Sequence, residues 1–135
     1  PRVRVFDGNG FGQLADFFGI QDATFFGGAR AAVGDVDGDG VGDLLVAAGF
    51  GGGPRVAGFT GASVAANRPV RLFADFFAFE PELRNGVYLA AGDLTGDGAA
   101  ELIAGAGAGG GPRVLALNGR LRTQVGERRP VADFF

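Results

Sequence analysis

The 135-residue sequence contains no cysteine, histidine, methionine, tryptophan or lysine, and each absence removes a class of function. Without cysteine there is no disulfide framework, and without cysteine or histidine there is no ordinary zinc site. Without lysine there is neither a phosphate-cradling P-loop nor a lysine base. Ser63 is the only serine; a carboxylate pair remains possible as an acid–base device. No apolar run approaches the length needed to cross a bilayer, and the longest near the acidic stretches is 44–48. The chain begins with Pro1 inside a repeat and shows no signal peptide. It is therefore expected to be a piece of a longer protein, in which case missing targeting signals carry no information.

What the sequence does have is glycine, phenylalanine and unevenly placed acid. With 47% hydrophobic and 20% charged residues it should bury a core. The net charge of −3 conceals a concentration, because Asp35, Asp37, Asp39, Asp43, Asp93, Asp97 and Glu101 lie in two short stretches. Like charge so concentrated repels itself unless a cation sits within it.

The first stretch reads Asp35-Val36-Asp37-Gly38-Asp39-Gly40-Val41-Gly42-Asp43. Aspartates stand at positions 1, 3, 5 and 9, and glycine at position 6 allows the sharp turn between them. A hard cation wants six to eight oxygens. The side chains of Asp35, Asp37, Asp39 and Asp43, with the carbonyl of Val41, are the expected calcium ligands. The pattern recurs as Asp93-Leu94-Thr95-Gly96-Asp97-Gly98-Ala99-Ala100-Glu101. An acidic, glycine-rich solvent loop without metal is the alternative for either stretch. An EF-hand is excluded, since its position-12 glutamate is replaced by Val46 and Ala104 in apolar, strand-like runs. The dense carboxylate clusters are those expected to hold metal, so no enzyme activity is expected.

Repeats set the architecture. Pro-Arg-Val occurs at Pro1, Pro54 and Pro112, and the last two are 58 residues apart. The acidic stretches begin at Asp35 and Asp93, again 58 apart, and Ala-Asp-Phe-Phe occurs at Ala15, Ala74 and Ala132. From Pro1 to Ala15 is 14 residues, whereas the later intervals are 20, so a shorter hairpin turn is expected at the start. Strand signals cover 29–33, 44–48, 55–59, 70–77, 87–91, 102–104 and 113–117, separated by Gly/Pro/Asn/Asp clusters. Helical periodicity is weak throughout, and the segment between 59 and 70 reads as a turn. About four antiparallel strands per 58 residues predicts an all-β chain of β-propeller blades, about two and a half of them. The expected division is half a blade over 1–27, a full blade over 28–84 and a nearly complete one over 85–135. A lone blade cannot cover its faces, so neighbouring blades of the same or another chain are required.

These motifs resemble the FG-GAP repeats of integrin-alpha-type propellers, also known as VCBS-type repeats in bacterial surface proteins. The likeness rests on Val33-Gly34-Asp35-Val36-Asp37-Gly38-Asp39-Gly40 with Asp43-Leu44-Leu45-Val46-Ala47. Ala91-Gly92-Asp93-Leu94-Thr95-Gly96-Asp97-Gly98 with Glu101-Leu102-Ile103-Ala104 repeats it. In that family the loop between the first two strands of a blade binds calcium. The resemblance implies ligands Asp35, Asp37, Asp39, Val41 and Asp43, and in the second loop Asp93, Thr95, Asp97, Ala99 and Glu101. Thr95 and Glu101 depart from the pattern and imply a weaker second site. The resemblance further implies a secreted or cell-surface protein, bacterial in origin, that binds a protein or glycan partner for adhesion or recognition. The alternatives are a propeller scaffold within a larger extracellular enzyme, such as a polysaccharide lyase or hydrolase, and a glycan-binding lectin.

Other features are assigned to structure. The glycine run 105–110 fits a dinucleotide fingerprint formally but leads into Pro112 and a strand, not a helix. Arginines are scattered singly except Arg128-Arg129, which reads as solvated charge with no nucleic-acid partner. In each Phe pair, one ring is expected within a sheet face and the other against the next blade.

Overall fold

The structure, a computed structural model, describes residues 1–126 and 129–135. Its strands form three antiparallel sheets. The first pairs β1 (Arg2–Phe6) with β2 (Gln13–Phe18). The second runs β3 (Ala29–Gly34), β4 (Asp43–Ala48), β5 (Arg55–Phe59) and β6 (Arg71–Phe77), each beside the next. The third repeats that order with β7 (Val87–Gly92), β8 (Glu101–Ala106), β9 (Val114–Leu117) and β10 (Pro130–Phe134). Four-stranded meanders in chain order are the make-up of propeller blades. The all-β expectation is met, and the strands fall within a residue or two of the signals that predicted them, β8 running furthest beyond its own.

The sheets stack through small residues. A Cβ added at Gly34 of β3 would lie 2.6 Å from the Cβ of Ala91 in β7, so the first strands of successive blades run in close contact. Burial follows from the stacking. In β4, Leu44 and Val46 face a cluster shared with Ala15, Ile20 and Val64, while Leu45 and Ala47 face the cluster holding Val87, Leu102 and Leu115. All six residues of β4 are buried. A strand covered on both faces has no polar side to present, which is why 44–48 reads as an unbroken apolar run. In β8, Leu102 and Ala104 join the same core, whereas Ile103 on the other face is half-buried.

The segment between 59 and 70 corrects the sequence reading. It is not a simple turn but holds a short helix, α1 (Gly61–Ala65), and its equivalent is α2 (Gly119–Val125). Helix α1 ends at Ala66 with Asn67 left-handed at φ 55°. The N–H of Arg68 donates to the Ser63 carbonyl and that of Asn67 to Val64, which caps the last turn. Five residues are too few to show a 3.6-residue period, so Val64, the apolar side chain α1 buries, gave no periodic signal. The β1–β2 connection has no such helix, which accounts for the shorter first repeat interval.

The arginines correct a second expectation. Those of Pro-Arg-Val are not merely solvated: each pairs across its hairpin with the aspartate of Ala-Asp-Phe-Phe. Arg2 holds Asp16, Arg55 holds Asp75 at 2.6 Å, and Arg113 holds Asp133 at 2.8 Å. The guanidinium contact pulls Asp16 and Asp133 below the usual carboxylate range. Arg128 lies outside the described residues. The Phe pairs also depart in part. Phe17 meets Phe59 of the next blade edge-to-face with centroids 4.9 Å apart, but Phe18 and Phe77 are exposed, as are both Phe134 and Phe135.

Candidate metal centre

The two acidic stretches close the β3–β4 and β7–β8 hairpins, with Gly34 opposite Asp43 and Gly92 opposite Glu101. Both loops fold around the carboxylate at position 1. The N–H groups of Gly38 and Asp39 donate to Asp35 Oδ1 at 2.8 and 3.0 Å, and that of Gly40 donates to Oδ2 at 2.8 Å. In the second loop Gly96, Asp97 and Gly98 make the same three bonds to Asp93, at 2.6, 3.2 and 3.0 Å. Positions 4 and 6 are glycines at φ 80° and 87° in one loop and 75° and 84° in the other. That left-handed backbone is open to glycine at little cost, and it aims successive N–H groups inward. These bonds hold Asp93 below its ordinary range, the Gly98 N–H first among them.

Beyond position 1 the loops diverge. In the first, oxygens of Asp35, Asp37 and Asp39 all lie within 4.8 Å of one another. Asp37 is pushed up, chiefly by burial and further by the charges of Asp39 and Asp35, against a bond from the Asp39 N–H. Three converging carboxylates, with no nitrogen or sulfur donor near them, form an all-oxygen set that fits a hard cation such as calcium. In the second loop Thr95 replaces the middle carboxylate, and its Oγ1 is turned toward Glu101 Oε1 at 3.5 Å. The carboxylates there are Asp93, Asp97 and the buried Glu101, and they do not gather into a comparable cluster.

Position 9 is buried in both loops, and in the first it lies outside the three-carboxylate cluster. Asp43 is fully buried, with the Val36 N–H donating to Oδ2 at 3.0 Å and the Gly61 N–H to Oδ1 at 2.9 Å. Burial raises Asp43 most, and the N–H bonds oppose the rise. Glu101 uses its longer arm to take the N–H groups of Leu94 and Thr95 on Oε2, at 2.8 and 3.2 Å. The carboxylate at position 9 therefore braces its own loop. At position 7, the Val41 and Ala99 N–H groups donate to Asp39 and Asp97 respectively, at 2.8 and 2.9 Å.

Two residues that matter here carried no acidic signal. A Cβ on Gly61 would come within 2.0 Å of the Gly42 carbonyl oxygen, and one on Gly119 within 2.1 Å of the Ala100 carbonyl oxygen. In each repeat the helix after the third strand begins with a glycine pressed onto loop position 8. Their separation of 58 residues is the signal that was available in the sequence.

A strand, an acidic loop, two further strands and a short helix thus form one unit from β3 to α1. Residues 27–65 match the FG-GAP repeat. The FG-GAP match takes in the first acidic loop, its position-9 brace and the helix that supports it. FG-GAP repeats are structural repeats that occur in extracellular proteins. No curated protein and no solved structure matches the chain. Among the described residues, no helix is long and apolar enough to cross a membrane.

Proposed function

We propose that this chain is a calcium-stabilised, non-catalytic FG-GAP-type propeller module of a secreted or cell-surface protein, serving as a scaffold for adhesion or recognition. The observation that carries the reading is the convergence of Asp35, Asp37 and Asp39 in a loop whose backbone is folded around its own first carboxylate. In this reading those three carboxylates and the Val41 carbonyl hold calcium, with Asp43 bracing the loop and completing the oxygen set. Asp93, Thr95, Asp97, Ala99 and Glu101 form a second, weaker site, since a hydroxyl supplies less charge than a carboxylate. A bound ion neutralises the loop and pins the first two strands of a blade together. Extracellular modules bind calcium at about 10⁻⁴ to 10⁻³ M, so an extracellular setting fills the loop and a cytosolic one leaves it empty. The recognition partner, a protein or a glycan, belongs to the full assembly of blades.

The test is calorimetric calcium titration of the chain and of the Asp37→Ala/Asp39→Ala double variant, paired with thermal unfolding in calcium and in EDTA. Saturable binding near 10⁻⁴ M, with a stabilisation that the double variant loses, is the expected result. A folded chain that takes up no calcium and melts identically in both buffers overturns the metal assignment.

A further inference from the structure

The second loop has something the first lacks in its own repeat: an arginine from the helix behind it. Arg120 in α2 donates from Nη2 to the Asp97 carbonyl at 3.0 Å, and its Nε lies 3.8 Å from Asp97 Oδ2. The residue 58 positions earlier, in α1, is Ala62, so no guanidinium rises from α1 to the first loop. Arg120 also extends across the boundary between blades. A Cβ on Gly38, at position 4 of the first loop, would lie 2.9 Å from Arg120 Nη2 and 3.6 Å from the Cβ of Ala99. The loops are joined there by backbone as well, since the Ala100 N–H donates to the Asp35 carbonyl at 2.6 Å.

We propose that Arg120 is a built-in cation of the second loop, holding that loop in shape without calcium and opposing calcium entry there. The charge pattern supports this role. The first loop has four aspartates and no cation from its own helix, whereas the second has three acids and one arginine set against Asp97. A guanidinium fixed on a loop carbonyl restrains the backbone that a calcium ion would otherwise restrain. A fixed positive charge a few ångströms from an incoming divalent ion repels it. Arg120 is thus a positioning residue of the second loop, to whose backbone it is hydrogen-bonded, whereas it only borders the first loop at Gly38. A side chain at Gly38, whose φ of 80° already favours glycine, would press on the end of Arg120, so the two loops meet at this point.

The claim about calcium entry rests on the calcium reading above, but the claim about loop shape does not. The experiment is amide hydrogen exchange in EDTA, with calcium titration in parallel, on the full chain and its Arg120→Gln and Arg120→Lys variants. In EDTA the Gly96, Asp97 and Gly98 amides are expected to be better protected than those of Gly38, Asp39 and Gly40. Arg120→Gln should reduce second-loop protection at least about tenfold, the scale of one charge-assisted hydrogen bond. The same variant should tighten calcium at the second loop by about three- to tenfold, because it removes a like charge. Arg120→Lys, which keeps the charge and loses the planar fork, should restore the weak calcium affinity but only part of the protection. Unchanged second-loop protection in Arg120→Gln overturns the proposal. So does an equal loss across all amides of β7–β10, which would mark Arg120 as packing alone, or a fall in second-loop calcium affinity. If no chain binds calcium at either loop, the calcium reading fails, and exchange in EDTA still decides whether Arg120 holds the loop.

Discussion

Residues 35–43 and 93–101 share one backbone and differ in what fills it. Both wrap position 1 with three N–H groups, and both place left-handed glycines at positions 4 and 6. In the first, Asp37 completes a three-carboxylate cluster and is raised chiefly by burial and further by its neighbours' charge; in the second, Thr95 turns toward Glu101 and Arg120 sits against Asp97. Loop shape is therefore set by the glycine positions and the position-1 carboxylate, and does not depend on whether position 3 is an acid. A repeat can keep its geometry while its charge is changed, because the bonds that set the turn run from backbone to position 1.

The comparison breaks most severely where both loops depend on the same close approach. Gly61→Ala and Gly119→Ala each drive a Cβ into a backbone carbonyl at 2.0 and 2.1 Å, which no rotamer relieves. Each should cost about 3 kcal/mol or more in denaturant unfolding. If one glycine tolerates alanine at no cost, the two loops are not supported alike. Next in size is position 9. Asp43→Ala strands the buried Val36 and Gly61 N–H groups at the base of the loop and should cost about 2–4 kcal/mol. Glu101→Ala should cost less, about 1–3 kcal/mol, because both of its backbone partners share one oxygen and lie nearer solvent. A reversal of that order in urea melts would show that the longer side chain is the stronger brace.

Calcium sharpens the comparison at smaller scale. At ten times its dissociation constant, the ion should add about 1.4 kcal/mol through the first loop. Asp37→Ala/Asp39→Ala should abolish that gain, while Asp93→Ala should leave most of it, and differential scanning in calcium and EDTA reads both. Thr95→Asp, which restores the middle carboxylate, should raise affinity at the second loop.

The smallest effect is in pH, and its sign differs between the loops. Asp37 is raised from 3.8 in the folded chain, so its contribution without calcium is complete below 3.8 and is lost as pH rises through the raised value. Asp93 is lowered from 3.8, so its contribution is present above 3.8 and is lost as pH falls through the lowered value. In EDTA, Asp37→Asn should therefore stabilise the chain at pH 7 and have little effect near pH 3, whereas Asp93→Asn should destabilise it at pH 7. Melting curves across that range that move in parallel for the two variants would remove the electrostatic distinction between the loops.

Much of this was legible before any coordinates. The 58-residue period located equivalent strands, and short runs between glycine-rich turns placed them within a residue or two. The unbroken run 44–48 marked a strand, and the structure shows it covered on both faces. The acids at positions 1, 3 and 5 of the first loop converge as their spacing implied. What could not be read was of two kinds. Helices α1 and α2 are too short for periodicity to register. The pairs Arg2–Asp16, Arg55–Asp75 and Arg113–Asp133 join residues 14 or 20 positions apart, and strand pairing brings them together diagonally, with Arg2 directly opposite Phe18, Arg55 opposite Phe77 and Asp133 opposite Leu115.

By itself the sequence determined the repeat, through markers 58 residues apart. It also determined the strand positions and loop backbone, which depend on neighbours within a few residues: a short run between turn residues, glycine at a left-handed turn, an aspartate reaching N–H groups three to five residues on. Only the tertiary structure decided that Asp43 and Glu101 brace their loops, that Gly61 and Gly119 press on them from behind, and that Arg120 lies between the first loop and the second. Those contacts form when strands pair and blades stack, and the distances involved are set by packing across the sheets, which local spacing does not encode.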